Sequence, residues 1–406
     1  MKDIDKIARA YALKNALAHE GKAQIGAVIS ALFNEGLKKS EVSKYSKKIS
    51  EVVLEANKLS LEEQKKEFEK LKDFVSEREV REGLPELPDA KPGKVVMRFR
   101  PAPSGPLHVG HIISNMISSL FVKKYGGRFY IIVDDTDPST TLKDSYENIK
   151  KDADWIFGNV YQYFNASDRL NIYYSHAEKL ISKGRAYVCT CKQEAFKKIA
   201  IDKKECPCRE LSVKEQKKRW RAMLDKKGFK EGEAVLRFKT AEKNRGMQNP
   251  NPALRDFPLA RISEKNHPLQ KTKYRVWPLM NLAVAVDDME LGMTHVIRGK
   301  DHRDNAERQK FIFEVFGKKF PWVGFIGRIK FTDLVLSKRQ ITAQIESGEF
   351  SGYEDERLPT IASLRKRSYT PEAFAKFAEQ RGLTEVDKVI SSKDFFDVIN
   401  RLNKSS

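Results

Sequence analysis

The sequence predicts an α/β fold, a parallel sheet interleaved with helices and flanked at both ends by helical segments. Three observations carry this. First, residues 95–133 run strand, helix, strand: Val95 to Phe99 is a short apolar run. Ile112, Met116 and Leu120 recur at i+4 with Ile113, Ile117 and Phe121 beside them, and Phe129-Tyr-Ile-Ile-Val133 is an apolar strand ending in acids. Such a βαβ unit favours parallel strands with a nucleotide site at their C-terminal ends. Second, helical spacing dominates residues 1–75 and 357–403. Third, 406 residues with 40% hydrophobic and 33% charged side chains suit two to four globular domains. No run approaches the roughly 18 apolar residues of a membrane helix. The N-terminus lacks the apolar core of a secretory signal, so a cytoplasmic enzyme with no membrane partner is expected.

Taken in order, Ile4, Ile7, Ala8, Tyr11 and Ala12, then Val52, Val53, Ala56 and Leu59, give helices interrupted at Gly21 and Gly36. Residues 58–82 read as one charged amphipathic helix. GLPELPDAKPGK, with three prolines and two glycines, is a boundary, so 1–84 is a helical extension and 85–94 a linker. The βαβ unit opens a first catalytic half over 95–185. Residues 186–260 read as an irregular, basic, cysteine-bearing insertion. A second half follows over 261–345, then a helical segment over 346–406.

The formal charge of +20 is unevenly placed. Residues 1–90 hold 17 basic and 17 acidic side chains and 351–406 hold ten and nine, so +19 falls in 91–350. Residues 201–250 alone hold 15 basic against 8 acidic. A basic centre points to a polyanionic partner, because Lys and Arg neutralise phosphates and release counterions. Solvated lysine-rich helix faces give the same count.

The sharpest segment is Arg98-Phe-Arg-Pro-Ala-Pro-Ser-Gly-Pro-Leu-His-Val-Gly-His111. Its prolines stiffen an extended loop. His108 and His111 then fall in the first turn of a helix, where backbone N–H groups favour anions. The two imidazoles share a face and can donate to phosphate oxygens, and Gly110 leaves room for a flat base between them. Alone, a His-x-x-His pair also fits a metal pair or surface histidines.

In its context the segment resembles the class I aminoacyl-tRNA synthetases, whose "HIGH" motif matches His108-Val-Gly-His111. Pro101-Ala-Pro-Ser-Gly-Pro-Leu-His-Val-Gly-His111 and Asp134-Asp-Thr-Asp-Pro138 are similar to the glutamyl/glutaminyl branch. Val335-Leu-Ser-Lys-Arg339, about 225 residues after His111, resembles that branch's "KMSKS" loop, with Val335 at the first lysine. Gly352-Tyr-Glu-Asp-Glu-Arg-Leu-Pro-Thr-Ile361 and Glu20-Gly-Lys-Ala-Gln-Ile-Gly-Ala-Val-Ile29 extend the likeness, the latter to archaeal-type glutamyl enzymes.

The resemblance implies a Rossmann-like class I catalytic domain carrying an acceptor-stem-binding insertion. It implies ATP and Mg²⁺ as cofactors and L-glutamate and tRNA-Glu as substrates, and leaves open whether tRNA-Gln is also charged. It places His108, Gly110, His111, Ser337 and Lys338 at ATP, with His108, His111 and Lys338 catalytic. Lys338 would neutralise charge on the departing pyrophosphate. It places Arg98 and Arg298 at the substrate carboxylates, since Arg is the best planar partner for them. Asp134 would take the ammonium. Arg298 would select glutamate, because burying it against a neutral amide is costly; its alternative is an ion pair with Asp287 or Asp288. Met280 stands where bacterial relatives have a pocket tyrosine, and Asn281 would supply the missing polar contact. Asp304 matches a position that probes the acceptor stem, where an acid accepts from guanine.

Cys189-Thr-Cys191 and Cys206-Pro-Cys208 form C-x-C pairs separated by 14 residues. Four thiolates suit a tetrahedral, structural Zn²⁺, although two-residue spacers are commoner and free thiols are the alternative. The resemblance favours zinc. The family's anticodon-binding β-barrel of roughly 150 residues has no counterpart here. A separate polypeptide carrying the barrel, truncation, or an enzyme reading only the acceptor end are the three expectations. Competing functions are a glutaminyl-tRNA ligase, a glutamyl-queuosine-type tRNA-modifying paralogue, a small-molecule nucleotidyltransferase and a non-catalytic tRNA-binding paralogue.

Overall fold

The computed structural model describes residues 4–76, 83–334 and 336–404, and the chain divides into units 1–80 and 81–406. The division falls a few residues before the expected boundary at 84.

The first unit contains α1 (Ile4–Ala18), α2 (Ile25–Asn34), α3 (Val42–Ala56) and α4 (Leu61–Leu71). Ile4, Ala8 and Ala12 bury the stripe that their spacing predicts, packing with Leu13, Leu32, Ile49 and Val53. Gly21 and Gly36 adopt φ of 87° and 95° at the turns, conformations L side chains resist. The helix expected over 58–82 is α4 alone, followed by a 3₁₀ turn over 72–74; residues 77–82 lie outside the described chain. Ser60 starts it with a reciprocal capping box to Glu63, which fixes the N-terminus at 61.

In the second unit, β1 (Val96–Phe99), α5 (Val109–Tyr125) and β2 (Arg128–Val133) form the expected βαβ unit. Gly126 ends α5 in a left-handed conformation, and a Cβ on Gly127 would strike the Val95 carbonyl. The chain continues through α6 (Ser145–Phe157) and β3 (Val160–Asn165), which joins β2 in parallel, to α7 (Leu170–Ser182). Further on come α10 (Met280–Glu290), β8 (His295–Gly299), α11 (Arg303–Phe316) and β9 (Trp322–Ile326), with β8 and β9 parallel. The Thr294 N–H donates to the Val96 carbonyl at 3.1 Å, setting β8 beside β1. β1-β2-β3 and β8-β9 are two separate parallel sheets that meet at Val96 and Thr294, so that their strands follow one another as β3-β2-β1-β8-β9, the doubly wound order with its switch point between β1 and β8.

Between α7 and α10 lies the insertion, with β4 (Ala186–Cys189), α8 (Gln193–Ile201), α9 (Val213–Leu224), β5 (Val235–Phe238), β6 (Pro258–Ile262) and β7 (Val276–Pro278). The expectation of irregular structure here is corrected: β4-β5-β6-β7 is an antiparallel sheet. Its strands are three to five residues long, too short to print an alternation, and the basic α9 hides its apolar side in Trp220 and Met223. The sheet also runs past the expected boundary at 260 to Pro278.

The chain closes with β10 (Ile329–Phe331), α12 (Lys338–Glu346), α13 (Ile361–Lys366), α14 (Pro371–Arg381), β11 (Lys388–Ile390) and α15 (Ser392–Lys404). β11 pairs in parallel with β10, a strand inside the segment expected to be mostly helical. Phe374, Phe395 and Ile399 bury this region against the α5 side of the sheet.

Candidate active site

His108 is the N-cap of α5 rather than a residue of its first turn, and His111 is its N3 residue. The two rings lie 3.9 Å apart, centroid to centroid. His108 Nδ1 accepts the Gly110 N–H at 3.2 Å, and His111 Nδ1 accepts the His108 N–H at 3.1 Å. Both rings therefore carry their proton on Nε2, each a donor with a fixed tautomer. Burial, then the neighbouring Lys338 charge, pushes His108 down to about 3. Burial, followed by His108 and Lys338, holds His111 well below its ordinary value. Both rings are thus held in the neutral form.

Lys338 opens α12 and donates from Nζ to the Ala102 carbonyl at 2.7 Å. Burial pushes it down to about 8, against the pull of Asp152. The two signature segments are in contact. A Cβ on Gly105 (φ 139°) would come within 3.1 Å of Lys338 Cβ. One on Gly110 would come within 3.1 Å of Leu336 Cδ1, so Leu336 fills the space that the sequence suggested for a base. Ser337 Oγ accepts the Gln340 N–H at 3.4 Å and caps α12. Val335 lies outside the described residues.

One turn further along α5, Ser114 and Asn115 border a cleft of about 220 Å³ at the C-terminal ends of β1 and β8. Arg98, Arg100, Asp134, Met280, Arg298, His302 and Gln309 line it. Arg98 makes a two-pronged pair with Asp288, at 2.5 and 2.8 Å. Arg298 forms no ion pair with Asp287 or Asp288. Its Nη1 donates to Gln309 Oε1 at 2.8 Å, while Nε and Nη2 are buried without a partner among the described residues. Burial, then the Arg98 charge, lowers it to about 10. Asn281 is not among the lining residues. Its Oδ1 accepts from Gln309 Nε2 at 3.4 Å, which corrects the expected direct contact to a place behind Gln309. Met280 lines the cleft and is 41% exposed. Asp304, exposed in the first turn of α11, accepts from Asn251 Nδ2 at 2.8 Å.

The four cysteine sulfurs lie within 4.8 Å of one another. Separations of 3.7 Å (Cys189–Cys206), 3.6 Å (Cys191–Cys206) and 3.9 Å (Cys191–Cys208) match the ~3.8 Å edge of a tetrahedron with Zn–S bonds of about 2.3 Å. The donor set fits zinc.

The family profile described as "tRNA synthetases class I (E and Q), catalytic domain" matches residues 94–402. The chain belongs to this family. Among curated relatives, the glutamate–tRNA ligase of Thermococcus kodakarensis is 42% identical over 99% of this chain and 70% of its own length. Those of Pyrococcus furiosus (41%) and Methanocaldococcus jannaschii (40%) are similar, over 70% and 69% of their lengths. The chain thus spans about 70% of the relatives it matches. A crystal structure of an Elizabethkingia meningosepticum glutamate tRNA ligase in complex with its amino acid superposes with a TM-score of 0.53 at 20% identity. It covers 77% of this chain and 69% of that one, and shows the class I synthetase fold.

As a member of this family the chain is an aminoacyl-tRNA ligase. Three features of its cleft escaped the sequence reading. Arg100 sits two residues after Arg98 on the same face. Asp287 and Asp288 anchor the arginines from α10. Gln309 holds Arg298 from α11. The i, i+2 pair Arg98/Arg100 at a strand end was the available signal for the first.

Proposed function

We propose that the chain activates L-glutamate with Mg·ATP and transfers it to tRNA-Glu. The observation that carries this is Arg298. It is a half-buried residue at the C-terminal end of β8 whose Nε and Nη2 are themselves buried and, among the described residues, have no hydrogen-bond partner. Such a cation is costly unless a ligand carboxylate meets it, and a glutamine amide would leave its charge uncompensated. The glutamate α-carboxylate attacks the ATP α-phosphate, giving glutamyl-adenylate and pyrophosphate; the terminal ribose hydroxyl of the tRNA then attacks the acyl carbon, forming the ester and releasing AMP. The Nε2–H groups of His108 and His111 and the Nζ of Lys338 supply positioning and charge stabilisation. Bound Mg²⁺ would contribute Lewis-acid charge at the phosphates.

ATP–pyrophosphate exchange tests the reading, with glutamate or glutamine, with and without transcribed tRNA-Glu, tRNA-Gln and tRNA-Asp. Glutamate-dependent exchange with tRNA-Glu is expected. Its absence under every condition defeats the proposal, and charging of tRNA-Gln in the same series identifies a second acceptor.

The Lys338 ammonium gives a pH signature. Its ordinary value lies above 10, and burial brings it to about 8, so the useful charged form is full below pH 8 and lost above it. kcat/KM for ATP is expected to fall as pH rises through about 8. A profile flat to pH 10 contradicts Lys338 as the charge donor.

We also infer that the four cysteines hold one structural zinc ion, closed to solvent chemistry because all four positions are thiolates. Native mass spectrometry is expected to find one zinc per chain. Chelation is expected to increase hydrogen exchange over residues 186–210 while ATP binding persists. A metal-free mass overturns the site.

A further inference from the structure

The charges in the cleft are unequally committed. Among the described residues Arg298 Nε and Nη2 have no hydrogen-bond partner, whereas Asp134, the one carboxylate among the lining residues, is already paired with a cation of the chain. Arg100 Nε donates to Asp134 Oδ2 at 3.1 Å and Nη2 to Oδ1 at 3.3 Å, while Thr136 Oγ1 donates to Oδ1 at 3.1 Å. Arg100 Nη1 reaches back to Asp287 Oδ2 at 2.5 Å. Asp287 also accepts from Arg169 Nε and the Tyr173 hydroxyl, both at 2.7 Å, and is therefore held from three sides. The side chains of Arg100 and Asp287 are 5% and 0% exposed, and that of Asp134 is 19% exposed toward the cleft.

An amino acid brings an ammonium as well as carboxylates. Asp134 is where that ammonium would be taken, and a guanidinium of this chain already stands there. Exchanging one cation for another on the same carboxylate gains little, and the displaced Arg100 would lose two charge-assisted hydrogen bonds. A ligand with carboxylates and no ammonium would satisfy Arg298 and leave the Arg100–Asp134 pair intact. We propose that Arg100 is a specificity-determining residue that fills the ammonium subsite as an internal cation, so that a dicarboxylate lacking the α-amino group competes with glutamate. This rests on the reading of the cleft as a glutamate site.

The test measures dissociation constants of glutamate and glutarate by calorimetry. It uses the full chain with tRNA-Glu and a non-hydrolysable ATP analogue, as wild type, Arg100→Ala and Arg100→Lys. In the wild type, glutarate is expected to bind within about tenfold of glutamate. Arg100→Ala opens Asp134, and the preference for glutamate is expected to rise by at least about tenfold, chiefly through tighter glutamate binding. Arg100→Lys keeps the charge but cannot span Asp134 and Asp287 together, so its ratio should fall between the two. An unchanged ratio in a folded Arg100→Ala protein, or equal loss of both ligands, overturns the role of Arg100. If Arg100→Ala does not fold, an unchanged ratio in Arg100→Lys does the same. Glutamate-dependent exchange by the wild type with an unmoved ratio removes only this proposal. No glutamate binding and no exchange removes the glutamate reading and this proposal together.

Discussion

Arg298→Gln is expected to lower kcat/KM for glutamate in ATP–pyrophosphate exchange by about 10²–10³-fold. Truncating one partner of a buried, hydrogen-bonded charge pair costs about 2–5 kcal/mol, and each 1.4 kcal/mol is tenfold. The guanidinium is positioned by Gln309, which is 1% exposed and held in turn by Asn281. Gln309→Ala should therefore weaken glutamate as well, but by less, because the charge remains. Arg298→Gln should also accept glutamine no better than wild type unless Arg98 is freed from Asp288 at the same time. Exchange rates for the two amino acids across these variants decide the matter. A variant within about threefold of wild type for glutamate would show that the carboxylate is read elsewhere.

Lys338→Ala is expected to reduce kcat for adenylate formation by about 10²–10³-fold, the range for removing one donor aimed at transition-state charge. Its ammonium reaches the loop that carries Ala102 and adjoins both histidines, so its effect should fall on chemistry rather than on tRNA affinity. His111→Ala should behave in the same way, since it removes the Nε2 donor while leaving the basic surface intact. Single-turnover rates alongside tRNA filter binding separate the two effects. Comparable losses in both would contradict these roles.

Much of this architecture was legible because it is local. The βαβ unit is written in unbroken apolar runs and a i+4 stripe, and the Pro-rich loop before His108 announces its own rigidity. The helices of residues 4–71 follow their spacing and glycines closely. The insertion was misread because three- to five-residue strands separated by polar loops leave no period, and their partners become visible only when β4 meets β5 some fifty residues later. The site divides in the same way. His108, His111 and Lys338 lie in recognisable strings, whereas Asp288, Asp287 and Gln309, which hold Arg98, Arg100 and Arg298, come from α10 and α11, almost two hundred residues away or on another element. A spacing rule sees the arginines but not which carboxylates have already claimed them. That distinction separates Arg98 and Arg100, which are paired, from Arg298, which is not.

The contact between β1 and β8 has a consequence for how the chain reaches this state. Val96 bonds to Thr294 through its N–H and its carbonyl, and 198 residues separate them. The junction between the two sheets therefore stays open during synthesis until residue 294 has been made. Closing so long a loop is entropically slow, and a half-built parallel sheet exposes an apolar edge while it waits. The insertion is made before β8, and its paired strands lie at most about fifty residues apart, so it can settle first on the ribosome. The nascent catalytic half, with β1 to β3 made and β8 still to come, is then the stage at which that apolar edge is uncovered.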